Sequence, residues 1–165
     1  MSEVLREAFR HNSWANHRLL EFCRGLSAEQ LNASSAGAYG NVQATLRHIL
    51  GAEAMYRSML SGSSPSWDWR QEEAPTLPQM EGWAADMTAF WEELVAGPID
   101  AERMLGLEFP NGRRLEGRAS VVLTQALHHG NVHREQVCTV LTTLGIEPPD
   151  LSGWHYGREA GAAGR

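Results

Sequence analysis

From Ala119 to Leu144 the chain carries an apolar stripe at helical spacing: Val122, Ala126, His129, His133, Val137, Val140 and Leu144 recur every three or four residues. Gly145 and the pair Pro148-Pro149 end it. A helix of about 26 residues spans roughly 39 Å at about 1.5 Å per residue, and three other stretches can pack along it. The first runs from about Ser2, a candidate N-cap, to Arg24, stopped by Gly25. Its stripe is Leu5, Phe9, Leu19, Leu20 and Cys23, with Asn12, Ser13 and Asn16 on or beside the middle. A short turn around "SAEQL" follows. The second runs from Asn41, which can cap it, to Leu60, and Gly62 with the run "GSSPS" stops it. It is apolar on two sides: Val42, Leu46, Ile49, Leu50 and Leu60 on one, His48, Ala52, Met55 and Met59 on the next. The third runs from Leu77 to Val95, with Thr76 and Gln79 spaced as a capping box and Met80, Ala84, Met87, Trp91 and Leu94 as its stripe.

Between these helices, Ser61 to Pro75 reads as a loop in which Trp67 and Trp69 provide packing groups. Asn111-Gly112, set between short apolar stretches, reads as a type I′ hairpin turn. The expectation is an all-α four-helix bundle with a small accessory hairpin between the third and fourth helices, forming one domain over residues 1–165. The tail after about residue 157 is expected to fray, and the tryptophans, Trp154 included, are expected to anchor core and loops.

Charge and cysteine usage exclude several classes of function. The net charge is −6, and the 14 basic residues, all arginine, are scattered; a nucleic-acid binder needs a concentrated basic surface. No run approaches the ~20 apolar residues of a membrane span. Cys23 and Cys138 form neither a C-x-x-C pair nor a disulfide framework. The opening stretch lacks the apolar segment of a signal peptide. The expected location is the reduced cytoplasm.

The stretch "HHGNVHREQ" holds three of the seven histidines. His129 and His133 are four apart, so they share a helix face with Cβ atoms roughly 5–6 Å apart, and two imidazoles so placed can chelate one metal ion. A single interior histidine is commonly satisfied by a hydrogen bond. Two consecutive positions of an inward stripe both given to histidine favour a metal, because burying two imidazoles without partners costs free energy. His128 points about 100° away. A third ligand has to come from another helix, and His48, above Ala52 and Met55, is the best candidate. His11 and His17 flank their stripe, and His155 lies in the tail.

The segments "SWANHRLL", "TLRHILGAE" and "HHGNVHREQVCTVLTTLGIEPPDL" together resemble the DinB/YfiT-like family over nearly the whole chain. The resemblance implies a four-helix bundle in which one histidine of the second helix and an H-x-x-x-H pair of the last bind a divalent metal. These map onto His48, His129 and His133. One departure is Glu135, where the family often has glycine; it should face away from the metal. Three histidines leave a coordination position open, and their softness suits zinc or nickel. Among characterised relatives are bacillithiol transferases and mycothiol-dependent maleylpyruvate isomerases. The resemblance therefore implies that the metal activates a low-molecular-weight thiol toward an electrophile, and it also implies a homodimer.

The competing readings are a non-catalytic metal-binding stress-response protein and a metal-dependent hydrolase. Gly130, Asn131 and Val132 provide no carboxylate between the histidines, which disfavours hydrolysis. Glu53 and Gln136 are candidates to orient an imidazole, Arg134 to meet an anionic thiol or a surface carboxylate, and Asn16 with Asn12 to contact substrate or to hydrogen-bond within the bundle. Cys138 lies about 140° round the helix from His133. Cys23 lies at the far end of the first helix. Neither is expected to be a ligand or nucleophile.

Overall fold

The computed structural model describes residues 3–71, 73–109 and 111–163. Among them are six helices and one two-stranded antiparallel sheet: α1 (Glu3–Cys23), α2 (Ala28–Leu31), α3 (Val42–Ser61), α4 (Leu77–Ala96), β1 (Met104–Glu108), β2 (Arg114–Arg118), α5 (Ala119–Thr143) and α6 (Gly153–Ala163). The four long helices contact one another in a closed circuit, α1 with α4, α4 with α3, α3 with α5 and α5 with α1. No helix among the described residues is long and apolar enough to cross a membrane.

Local chemistry sets most of these boundaries. The Asn41 side chain accepts from the Ala44 N–H and opens α3, and Gly62 closes it at φ 73°, a left-handed conformation that costs glycine little. Thr76 and Gln79 form the reciprocal capping box at α4. "SAEQL" is more than a turn. Ser27 and Gln30 cap each other's backbone, and the segment closes as the one-turn helix α2.

Several other expectations need correction. Phe109 and Arg113 remain hydrogen-bonded across the hairpin (N···O 2.8 Å), leaving three residues between them. Gly112 adopts φ 77° while no described residue other than glycine has positive φ, whereas a type I′ turn needs it at both central positions. Leu144 does not complete the buried stripe of α5; it is 42 % exposed just beyond the helix end. Beyond residue 157 the tail continues as α6, held to α1 by the Trp14 indole N–H donating to Glu159 (2.9 Å) and by His11 donating to the Leu151 carbonyl (2.9 Å). Trp154, expected as an anchor, is 85 % exposed. Ser2, the expected cap of α1, lies outside the described residues.

Among the described residues the core forms two apolar clusters. One contains Phe9, Met59, Met87, Trp91 and Val122; the other contains Leu20, Leu46, Met80, Val137 and Leu141. In α1, α3 and α5 the positions between them are held by buried Asn12 and Asn16, Glu53, and Arg134. A polar layer therefore crosses the molecule at mid-length.

Candidate metal centre

His48 of α3 and His129 and His133 of α5 come together where these helices cross. Their ring centroids lie 4.7 Å (His48–His129), 4.6 Å (His48–His133) and 4.3 Å (His129–His133) apart. One ring nitrogen from each lies within 4.8 Å of the other two, and the group could hold a metal ion. His128 is exposed and points elsewhere.

The His129 and His48 Nε2 atoms are 3.0 Å apart. That separation suits one imidazole donating to another, and it equally suits two ligands about 2.0–2.1 Å from a shared ion. The third histidine has a partner of its own. His133 Nδ1 lies 2.7 Å from Gln136 Oε1. The orientation of that carboxamide is set from both ends: its oxygen also accepts from the Tyr39 backbone N–H (3.2 Å), and its nitrogen donates to the Gly37 carbonyl (3.3 Å). An amide oxygen only accepts, so His133 donates through Nδ1, which leaves Nε2 as the ring nitrogen able to meet a metal. The donor set fits a divalent cation: three imidazoles converge, one of them hydrogen-bonded from behind through Nδ1.

Electrostatics keep the other two imidazoles neutral. Burial, and then the neighbouring imidazole of His133, hold His48 down to about 4. Burial, followed by His133 and His48, holds His129 down to about 3. A neutral imidazole is the ligating form. The Tyr39 ring stacks on His48 at 3.8 Å and 11°, and the Tyr56 ring stands edge-on to His129 at 6.0 Å. A cavity of about 470 Å³ opens from His48 and His129 between one face of α3 and the loop that follows it. Ala52, Met55, Tyr56 and Trp69 supply apolar wall, and Arg47, which donates to the Gln71 carbonyl, supplies a cation.

Of the residues considered as partners of an imidazole, Gln136 hydrogen-bonds to one, His133. Asn16 and Asn12 hydrogen-bond within the bundle, and Glu53 and Arg134 bond to them rather than to an imidazole. Glu53 Oε1 accepts from the carboxamides of Asn12 and Asn16 (2.8 Å each), and Oε2 accepts from the Trp91 indole N–H (3.1 Å). The same two carboxamides accept from Arg134 through their oxygens (2.9 and 2.7 Å), and Asn131 accepts from its other terminal nitrogen (2.6 Å). Arg134 is 2 % exposed, so it meets neither a ligand in the cavity nor a surface carboxylate. Burial pushes its guanidinium down to about 10, which leaves it charged at neutral pH.

Tyr39, Tyr56 and Gly130 were not singled out in the sequence. Tyr39 sits in a loop whose course no periodicity indicates. Gly130 carries a signal, since a glycine in the middle of a long helix costs about 1 kcal/mol relative to alanine. Its reason is close approach: a Cβ there would lie 2.7 Å from Asn12 Oδ1 and 2.9 Å from an Arg134 nitrogen.

The family model described as the DinB family matches residues 1–162. No curated protein matches the chain.

Proposed function

The chain belongs to the DinB family, and we propose from that premise that it is a divalent-metal protein promoting thiol-dependent transfer. In this reading His48, His129 and His133 are the metal ligands and the four long helices are the family's bundle. The observation that carries it is the convergence of three ring nitrogens, with the Gln136 oxygen fixing the tautomer of His133. Zinc or nickel suits three imidazoles. When bound, such an ion lowers the pKa of a thiol and so supplies a nucleophile at neutral pH.

The chain's own residues define what the remaining partners have to be. Cys23 and Cys138 are buried. Burial, and secondarily the neighbouring Cys138, pushes the Cys23 thiol up to about 12; burial and then Glu135 push Cys138 up to about 11. Thiols so protonated are poor nucleophiles, so the reacting thiol is a small molecule. Two unpaired cysteines also suit a reduced cytoplasm. The cavity beside His48 and His129 receives the electrophile against Met55, Tyr56 and Trp69, where its apolar walls exclude water. Gln136 and Tyr39 hold the imidazoles in place. A homodimer is part of this proposal, carried by the family.

Elemental analysis of protein purified without a histidine tag tests the metal, with about one zinc or nickel per chain expected. Loss of free thiol, followed over a panel of low-molecular-weight thiols and electrophiles, tests the transfer. A metal-loaded protein that consumes none of them is a binder, and a metal-free protein that takes up no added zinc ends the reading.

A further inference from the structure

We infer that the buried layer of Arg134, Asn12, Asn16 and Glu53 is a positioning device for the three histidines, setting the separation of α3 and α5 at which His48 meets His129 and His133. The inference rests on the metal-centre reading above. None of the four residues touches the proposed ligands through a hydrogen bond among the described residues; they act through the helices that carry them.

The geometry supports this in three ways. The first is sequence proximity within rigid elements. Arg134 adjoins His133 on α5, and Glu53 follows His48 on α3 by less than two helical turns. A helix transmits a displacement at Arg134 or Glu53 to the neighbouring histidine with little loss. The second is connectivity. Arg134 and Glu53 are bridged by Asn12 and Asn16, each of which accepts from the guanidinium and donates to the carboxylate. Trp91 adds α4 through the other carboxylate oxygen. One network thus ties all four long helices together at mid-length, with directional bonds at separations of 2.7–3.1 Å. Apolar contacts above and below the layer can slide, whereas a bridged ion pair with two carboxamides in register cannot do so without orphaning a buried charge.

The third is Gly130. It lies between the two ligand histidines in sequence but faces the layer, where a Cβ would collide with Asn12 and Arg134. Rows 129/133 and 130/134 are adjacent on the surface of α5. The histidine row faces α3 and the Tyr39 loop, and the glycine–arginine row lies against α1. The close approach of α1 to α5 therefore sets the rotation of α5, and with it the direction of both imidazoles.

The test compares Arg134→Met, Glu53→Gln and Gly130→Ala with Leu141→Ala, a core truncation on the same helix that belongs neither to the three histidines nor to the polar layer. For each, zinc affinity is measured by competition with a chelating dye, the visible spectrum of the cobalt-loaded protein reports coordination geometry, and urea midpoints are taken on metal-free protein. The expected result is a roughly tenfold to hundredfold loss of zinc affinity with an altered cobalt spectrum in the three layer variants. Leu141→Ala should keep both at wild-type values despite a lowered urea midpoint. Arg134→Lys, which keeps the charge but not the fork, should recover part of the affinity lost in Arg134→Met. If Arg134→Met does not fold, Gly130→Ala and the near-isosteric Glu53→Gln decide the question. Layer variants that lose stability yet bind zinc like the wild type overturn this inference and leave the metal-centre reading standing. A wild-type protein that takes up neither zinc nor cobalt overturns both.

Discussion

The histidine cluster and the arginine–glutamate layer occupy neighbouring rows of the same two helices, α3 and α5, yet their polar groups are arranged in opposite ways. In the layer, Asn12, Asn16, Glu53 and Arg134 are 1–5 % exposed and answer one another's donors and acceptors. In the cluster, three imidazoles are half-buried, two are near enough to compete for a single proton, and a cavity opens beside them. A buried network used for structure is closed, because each unmatched group costs about 1–3 kcal/mol. A site used for binding leaves lone pairs unmatched and tolerates that cost. The difference separates two roles that look alike in sequence, where His129, Gly130, His133 and Arg134 stand within six residues.

The largest expected effect tests the closed side of this comparison. Breaking a buried, bridged charge pair by removing one partner costs about 3–5 kcal/mol, so Arg134→Met should lower the unfolding free energy of metal-free protein by that amount in urea titration. His129→Ala, at a half-buried site with no comparable network, should change it by under about 1 kcal/mol. Equal losses in the two variants would break the distinction.

Metal uptake should reverse the ranking. His129→Ala is expected to abolish zinc binding at micromolar concentrations with the far-ultraviolet circular dichroism unchanged. Unfolding of this variant, or of chelator-treated wild type at room temperature, would make the histidine cluster a structural site. Gln136→Ala removes the acceptor behind His133 Nδ1 together with its bonds to Tyr39 and Gly37, and should weaken zinc binding by roughly ten- to a hundredfold. An unchanged affinity would mean the tautomer of His133 is set by something else.

Acid sharpens the comparison further. In the folded, metal-free chain His48 is held down to about 4 and His129 to about 3, while in the unfolded chain both titrate near ~6.5. Below that value the unfolded chain takes up protons that the folded chain refuses. The stability these neutral imidazoles contribute is therefore present above about 6.5 and is lost as pH falls toward 3. Urea midpoints measured from neutral pH to pH 4 should fall less steeply in a His48→Ala/His129→Ala variant than in wild type. The smallest expected effect is that of Cys23→Ser/Cys138→Ser on metal content, which should be nil. A loss of zinc there with unchanged helicity would bring a protein thiolate into the site.

Much of the site could be read from spacing. His129 and His133 are paired by helical periodicity alone, and His48 follows as the histidine on an inward side of another long helix. The helix ends at Asn41, Thr76 and Gly62 were legible because caps are local chemistry. Arg134 and Glu53 were misjudged because burial of a charge is improbable for any one residue and becomes affordable only when its partners arrive together. Those partners lie on α1 and α4, far away in sequence. The tail was misread for a similar reason: helix α6 is short and Gly-rich, and the residues that hold it, Trp14 and His11, lie on α1 far away in sequence.

By itself, then, the sequence determined the long helices, their stops, and which histidines could share one helix face, since all of these follow from interactions within a few residues. The tertiary structure alone decided that His48 reaches the pair, that Gln136 and the Tyr39 loop orient His133, and that Gly130 clears room for Arg134 to meet Asn12 and Asn16. Each of these depends on the rotation of one helix against another. That rotation is set by contacts between residues up to 122 positions apart, such as Arg134 and Asn12, and no local periodicity encodes it.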